Sequence, residues 1–458
     1  MDHTIERLIH ASNPQWKGKW PFEEFCDREV QIKLFEILDN KQIICLLGPR
    51  RSGKTTLLKI LISRLLSSGT GPRQIFYLTF DELMASDHKI MEEILQYYYD
   101  NIAGEGRSYI FLDEVHNIDY WQTVLKRHYD GLHPNTKFFI TGSSSAWLKR
   151  RSRESLAGRS YDVMVWPLSF REYLGFRHVQ VPGPVRPRTF QDLESYWEGL
   201  GSARDTVVRE LNRFVLFGGF PEMALGDATL EELRQYLWTY VMEKTVLRDL
   251  AQYFPVDNPK TLVEVLGVLA GQSSSLLSVT NLAETLGTKP ATMSKYLSYL
   301  ELGYLIGFSY NYTKSKVKQV RSSKKAYLTD TGLITALSHL EEDLFSHPKE
   351  AGLLVETSVR NHFSRLTECY FWRDEHKNEV DLLARYRKAL LPIEVKFSDG
   401  ITSGDLDTLR LFLRKHKVSR GIVTTKAQLK DLGDIWAVPV PLLLLMDWKD
   451  WGEGRGKD

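Results

Sequence analysis

The chain has 458 residues, of which 43% are hydrophobic and 26% charged, and a formal net charge of +2. That is the composition of an ordinary globular protein, and it excludes a uniformly basic nucleic-acid coat: any affinity for nucleic acid must come from a local patch. At roughly 100–200 residues per domain, about three domains are expected.

Cys26, Cys45 and Cys369 are far apart, form no metal-ligand spacing and fit a reducing interior. Met1 to Ala11 is polar and charged, unlike a signal peptide. The apolar run Trp436 to Met446 contains two prolines and is too short to cross a bilayer. The expected location is cytoplasmic, with no membrane partner.

In chain order, Asn13-Pro14-Gln15-Trp16 and Trp20-Pro21-Phe22 come first, then a helical pattern from Glu23 to Leu38. Trp20 and Phe25 either stack on a nucleotide base or pack on the core. Ile43-Ile44-Cys45-Leu46-Leu47 reads as a strand feeding Gly48-Pro49-Arg50-Arg51-Ser52-Gly53-Lys54-Thr55-Thr56 and a helix to Leu66. Strand, glycine-bounded loop and helix are the context of a phosphate-binding loop. Its N–H groups would point at phosphate oxygens, aided by the positive end of the helix dipole. Lys54 would reach the β and γ phosphates, and the Thr55 hydroxyl would hold Mg²⁺. Arg50 and Arg51 are left three options: phosphate, a neighbouring subunit or solvent.

The next strand is Gln74 to Phe80, followed by a helix from His88 to Ala103 and the strand Ser108 to Asp113. Apolar residues running into Asp113-Glu114 form the second nucleotide-site signature. Asp113 would bind Mg²⁺ directly or through water, and Glu114 would act as general base on the attacking water. A helix over Trp121 to Tyr129 leads to the strand Lys137 to Thr141, at whose tip Thr141 or Ser143 would sense the γ-phosphate. Alternating strands and helices predict a parallel sheet covered on both faces. Ligands bind at the strands' C-terminal ends in such sheets, where all these candidates sit. The basic run Lys149, Arg150, Arg151, Arg153 and Arg159 is either solvated surface or the source of a charge-neutralising arginine, for which Arg159 is the candidate.

A helical region is expected to start around Val163 to Tyr173. Helices resume from Phe190 to Phe217, Gly218-Gly219-Phe220-Pro221 reads as a sharp turn, and a long helix from Thr229 to Ala251 completes a lid. Between Pro259 and Leu340, helices over Val279–Leu286 and Lys289–Leu302 resemble a helix-turn-helix, with Tyr304 to Leu328 as a β wing. Lys314, Lys316, Lys318, Arg321, Lys324 and Lys325 are interrupted by no acid and suit DNA phosphates.

The last third holds a helix with Glu356, a strand Tyr370 to Arg373, and a hairpin of Glu379-Val380-Asp381 against Ile393-Glu394-Val395-Lys396. Alternation puts Glu394 and Lys396 on one face, with Asp381 beside them. Asp381 and Glu394 would bind a divalent metal, Lys396 would orient water or neutralise charge, and Glu379 and Glu356 could add a ligand. In a metal-free site Lys396 would instead pair with a carboxylate. A helix from Asp405 to Lys415 and a strand from Arg420 to Thr424 follow, and the apolar segment Ile435 to Leu445 closes the sheet.

The phosphate loop with its double arginine, Leu112-Asp113-Glu114-Val115, Thr141-Gly142-Ser143-Ser144, Leu156 to Arg159, Gly218-Gly219-Phe220-Pro221 and the two carboxylate strands together resemble one family. It is the prokaryotic, mainly archaeal, AAA+ ATPases with a winged helix and a C-terminal PD-(D/E)XK restriction-endonuclease-like domain. The resemblance implies ATP as nucleotide, ATP hydrolysis, a nuclease-like fold and a homo-oligomer such as a hexameric ring. The expected fold class is α/β: an AAA+ P-loop core over 1–165, a helical lid over 166–256, a winged helix over 257–342, a nuclease-like domain over 343–447 and a tail over 448–458. His116 stands where glutamine is usual, which leaves its role open. The reading is a DNA-associated ATPase, with an ATP-regulated nuclease and a switch ATPase acting on a protein as alternatives.

Overall fold

The structure is a computed structural model that describes every residue except 1–2, 21, 23–26, 82–86, 143–155, 316, 318, 320–321, 388, 399, 450, 452–458 and the side chain of Ser403. Cys26, Phe25, Ser143, Lys149, Arg150, Arg151, Arg153, Lys316, Lys318 and Arg321 therefore lie outside the described residues, with most of the tail. The chain divides into two compact units, Met1–Pro167 with Arg248–Pro255, and Leu168–Leu247 with Val256–Asp458.

The first unit is built on five strands: β1 Ile43–Leu47, β2 Ile75–Thr79, β3 Ser108–Asp113, β4 Thr136–Thr141 and β5 Ser160–Met164. Their order is β2-β3-β4-β1-β5, and every pairing is parallel. β1 and β4 are buried along their whole length, and β1 reads as an unbroken apolar run instead of alternating. The helix Lys54–Ser67 buries Leu57, Leu58, Leu61 and Leu65 against β1 and β4, with Phe111 and Phe139 in the same core. The position of β4 matters for the site: it lies between the loop-bearing β1 and the acid-bearing β3.

β2 ends the sheet and would leave its backbone unpaired. Asn13 and Gln15 cover it. The Asn13 side chain donates to the Tyr77 carbonyl (2.8 Å) and accepts from the Tyr77 N–H (2.7 Å), as a neighbouring strand would. Gln15 and Trp16 donate to the Ile75 carbonyl at 3.1 and 2.9 Å. Trp20 packs on the core and its indole bonds Ser63 at 2.8 Å, which favours the core role over base stacking. A helix was expected to begin near Val163, but that stretch is edge strand β5, and the helix starts at Phe170.

The second unit contains one eight-stranded sheet: β6 Ile306–Asn311, β7 Lys324–Leu328, β8 Glu368–Arg373, β9 Glu379–Tyr386, β10 Ala389–Glu394, β11 Gly421–Thr425, β12 Lys430–Asp431 and β13 Ile435–Pro439. The order is β12-β13-β11-β10-β9-β8-β6-β7. β8, β9 and β10 run antiparallel, while β10, β11 and β13 run parallel, with the helix Ser403–His416 between β10 and β11. That helix buries Leu409 and Phe412 against Val380, Leu383 and Val423.

Helices Val279–Thr285 and Pro290–Leu302 flank a turn at Gly287, whose φ of 61° suits glycine, and they precede the β6–β7 hairpin. One continuous sheet crosses the expected boundary near residue 342. Tyr310 and Asn311 of the hairpin pair in parallel with Tyr370 and Phe371, so wing and C-terminal segment share one set of backbone hydrogen bonds. The expected closing segment also divides, into β13 and a buried helix, Val440–Leu445.

The double glycine at 218–219 has a steric cause. Gly218 has φ 78°, and a Cβ there would lie 1.9 Å from Asp330 Oδ1. Gly219 donates its N–H to Asp330 Oδ2 at 2.8 Å, and Gly332 donates to Oδ1 at 2.9 Å. Burial pushes the Asp330 carboxyl up to about 6, against these two hydrogen bonds.

Candidate nucleotide site and a second acidic cluster

The loop after β1 approaches the segment after β5 closely. Gly48 has φ 147°, and a Cβ would stand 2.1 Å from the Val165 carbonyl oxygen. Val165 N–H donates to Leu47 at 2.7 Å and fixes that approach. Arg28 braces the loop, donating to the Ser52 carbonyl (3.0 Å) and the Trp166 carbonyl (2.8 Å). Gly53, at φ 93°, opens the helix, which places Lys54, Thr55 and Thr56 in its first turn. Pro49 and Ser52 are buried, and among the described residues Ser52 Oγ has no hydrogen-bond partner.

Lys54 is buried and its ammonium donates to the carbonyls of Gly48 (3.1 Å) and Pro49 (2.7 Å). Burial lowers its pKa. A desolvated cation hydrogen-bonded to two neutral oxygens is suited to an incoming anion. Thr55 Oγ1 donates to Asp113 Oδ2 at 2.7 Å, joining the loop to the tip of β3. Thr141 donates to the other oxygen, Oδ1, and accepts from the Glu114 N–H at 3.0 Å. Glu114 has φ 54°, uncommon for a non-glycine residue, and this hydrogen bond from its own N–H helps hold it there. Tyr77 OH adds a bond to Asp113 at 3.3 Å.

His116 places Nδ1 3.0 Å from Glu114 Oε2. Burial would raise Glu114, but the hydrogen bond and charge of His116, with Lys54 and Arg50, hold its carboxyl down to about 2. Burial and the charge of Glu114 raise Asp113. The environment thus separates two adjacent acids and keeps Glu114 ionised, as a general base requires. The Thr55 hydroxyl and the Asp113 carboxylate are hard oxygen donors in contact, a set that fits Mg²⁺ beside phosphate. Bound there, Mg²⁺ would neutralise phosphate charge.

Arg50 makes a two-point ion pair with Asp249, at 2.8 and 3.2 Å. That answers for Arg50 the options left open above: its partner is a carboxylate 199 residues away. Arg51 is exposed with φ 64°. Arg159 is a correction. Its carbonyl accepts from the N–H of Ile43, the first residue of β1, and its guanidinium pairs with exposed Asp130 at 2.7 and 3.0 Å. Because β1 is parallel to β5, Arg159 lies at the end of the sheet opposite the loop and is not at its own chain's nucleotide site. Sequence reasoning missed Arg28, Tyr77 and Asp249; in all three cases the contact joins elements remote in sequence.

The second cluster also corrects the sequence reading. Lys325, expected on DNA, is only 3% exposed in its side chain. Its Nζ lies 2.6 Å from Glu379 Oε1, 3.3 Å from Glu356 Oε1 and 4.0 Å from Asp381 Oδ1. Burial works against the ammonium, but these carboxylates outweigh it and raise its pKa. Lys324 is half-buried, with Nζ 3.9 Å from the Phe308 ring centroid, and burial lowers its pKa. Of the expected DNA set only Lys314 is both described and exposed.

Asp381, Glu394 and Lys396 do come together. Val395 N–H donates to Asp381 Oδ2 at 2.9 Å, and Lys396 Nζ is 3.1 Å from Glu394 Oε1. Arg373 holds Glu379 at 2.9 Å, and Tyr327 OH donates to Glu356 at 3.0 Å. Burial raises the carboxyls of Glu356, Asp381 and Glu394. Among the described residues no group of three or more His, Cys, Asp or Glu could hold a metal ion. The positive observation is stronger: Lys325 already stands among three of the acids and Lys396 on the fourth. The cluster does not fit the expected metal.

A five-stranded parallel sheet with a phosphate loop on β1, an acid pair at the end of β3 and a threonine at the intervening strand's tip is the arrangement of a P-loop nucleotide-binding domain. Consistent with that class, residues 40–174 match the family model described as an AAA domain. Residues 208–344 and 351–443 match two domains of unknown function, DUF8612 and DUF4143.

The chain is 23% identical over 383 residues to an uncharacterized protein of Haemophilus influenzae, covering 82% of this chain and 88% of that one. It is 29% identical over 311 residues to an uncharacterized protein of Methanocaldococcus jannaschii, covering 66% of this chain and 63% of the relative. Among solved structures, a Walker-type ATPase of Pyrococcus abyssi gives a TM-score of 0.42 at 16% identity, covering 70% of this chain and 98% of that one. A RuvB structure of Thermotoga maritima gives 0.30 at 18% identity, covering 67% and 99%. Among the described residues no helix is long and apolar enough to cross a membrane.

Proposed function

We propose that the chain hydrolyses ATP with Mg²⁺ and couples nucleotide state to DNA binding or remodelling. The observation that supports hydrolysis best is the linked set Thr55–Asp113–Thr141–Glu114, with His116 on Glu114. In this reading Lys54 binds the phosphates, Thr55 and Asp113 hold Mg²⁺, Glu114 takes a proton from the attacking water, and Thr141 sets the Glu114 backbone. DNA would contact Lys314, Lys316, Lys318 and Arg321. Assembly as a homo-oligomer belongs to the same reading.

The inward position of Lys324 and Lys325 shrinks the basic patch and favours, as a second reading, a switch ATPase that signals to a protein. ATP turnover is to be measured with and without single-stranded, duplex and branched DNA. The tested proteins are wild type, Glu114→Gln and the double variant Lys316→Glu/Lys318→Glu. DNA stimulation lost in the double variant supports the first reading; turnover indifferent to every DNA supports the second. Normal hydrolysis by Glu114→Gln would overturn the general-base role. Metal-dependent cleavage at Asp381, Glu394 and Lys396 would require Lys325 to leave the acids among which it stands.

A further inference from the structure

β7 enters the acidic cluster from the hairpin side of the second unit's sheet, while Asp381 and Glu379 come from β9, Glu394 from β10 and Glu356 from the helix Pro348–Leu366. Two strands, β6 and β8, lie between β7 and β9 in the sheet. The Lys325 ammonium meets Glu379, Glu356 and Asp381 at 2.6, 3.3 and 4.0 Å. Its aliphatic stem is buried with it, and Nζ sits 5.4 Å from the Phe371 ring centroid.

We propose that Lys325 is the resident cation of this cluster, so that its ammonium and a divalent metal are mutually exclusive occupants of the four carboxylates. Three features carry this. The ammonium reaches three acids contributed by two elements, Glu379 and Asp381 of β9 and Glu356 of the helix Pro348–Leu366. The remaining acid, Glu394, is engaged by Lys396 at 3.1 Å. Arg373 takes the second oxygen of Glu379 at 2.9 Å, which leaves that carboxylate bridged between two cations. A unit positive charge at these distances repels an incoming divalent ion strongly in a buried site. The cluster then works as an electrostatic clasp between the β6–β7 hairpin and the β8–β10 strands. Its carboxylates become available to a metal only when β7 withdraws its lysine.

The test is Mn²⁺ binding to the nucleotide-free full chain, followed by the electron paramagnetic resonance signal of free Mn²⁺. The cluster's contribution is whatever Asp381→Asn removes, which separates it from the phosphate-loop site. Wild type and Lys325→Arg are expected to show no Asp381-dependent binding. Lys325→Met is expected to gain a site at least roughly tenfold tighter, as the loss of a nearby like charge requires. That site should vanish in Lys325→Met/Asp381→Asn. Asp381-dependent Mn²⁺ binding by wild type would overturn the proposal, as would a folded Lys325→Met with no gain. If Lys325→Met does not fold, the wild-type and Lys325→Arg arms decide: a melting temperature that Mn²⁺ raises in wild type but not in Asp381→Asn overturns the proposal, and identical responses support it.

Discussion

Two buried lysines sit beside carboxylates in this chain, and they differ in what they hold. Lys54 in the first unit donates to two carbonyl oxygens and, among the described residues, to no carboxylate oxygen, although Asp113 and Glu114 are close enough to influence its charge. Lys325 in the second unit is bonded to the acids themselves. Burial lowers the first, and surrounding charge raises the second in spite of burial. A lysine on neutral acceptors is poised for a ligand, whereas one on carboxylates already has its ligand. Both sit in sequence beside motifs of phosphate-binding type, so residue type alone does not separate them.

Substitution can break this contrast. The largest effect is expected from Glu114→Gln, which should lower ATP turnover by roughly 10²–10⁴-fold while nucleotide binding persists; single-turnover hydrolysis measures it. Lys54→Met should weaken nucleotide binding by roughly 10- to 100-fold, the worth of a charge-assisted hydrogen bond, without lowering the melting temperature. Lys325→Met should do the opposite, costing about 3 kcal/mol of stability by leaving buried acids unpaired, with nucleotide affinity intact. Calorimetry with nucleotide titration on both variants would show whether the two lysines differ as described; equal losses of stability would abolish the distinction.

His116→Ala sharpens the picture of the first site. The folded Glu114 carboxyl, at about 2, lies below its ordinary value of 4.5. It therefore contributes stability present above that ordinary value and lost as pH falls through about 2. Removing His116 raises the carboxyl, so the acid limb of kcat/KM should move to higher pH; an unmoved limb would separate His116 from the general base. The smallest effect is expected for Arg159→Ala, whose exposed pair with Asp130 lies away from the loop. Its ATP turnover should stay within roughly twofold of wild type.

The nucleotide site was largely legible in sequence because its geometry is local. A strand, a tight loop and a helix start place Gly48, Lys54 and Thr55 by chain connectivity, and strand polarity puts Asp113 and Thr141 at the same end of the sheet. What the sequence could not convey depends on register and on distant segments. Arg159 looked available until the pairing of β5 with β1 put it at the opposite end. Asp249 reaches Arg50 from another part of the chain, and no local pattern points to it. The C-terminal hairpin was read with its acids on one face, which holds. Lys325 was read with its basic neighbours as a DNA contact, whereas strand alternation turns it inward toward acids contributed by other elements. The β5 strand was taken as a helix start because an edge strand with exposed Tyr161 and Asp162 lacks the unbroken apolar run of β1.

The side chains of Asn13, Gln15 and Trp16 laid along β2 make that segment chemically part of the sheet. A protease cut after Lys17, or denaturation of that segment alone, would uncover the Tyr77 and Ile75 backbone groups that Asn13, Gln15 and Trp16 now satisfy. An open strand edge is a template for another chain. Self-association of N-terminally trimmed protein would then proceed by strand addition and cause aggregation on storage, rather than reflect the native quaternary state.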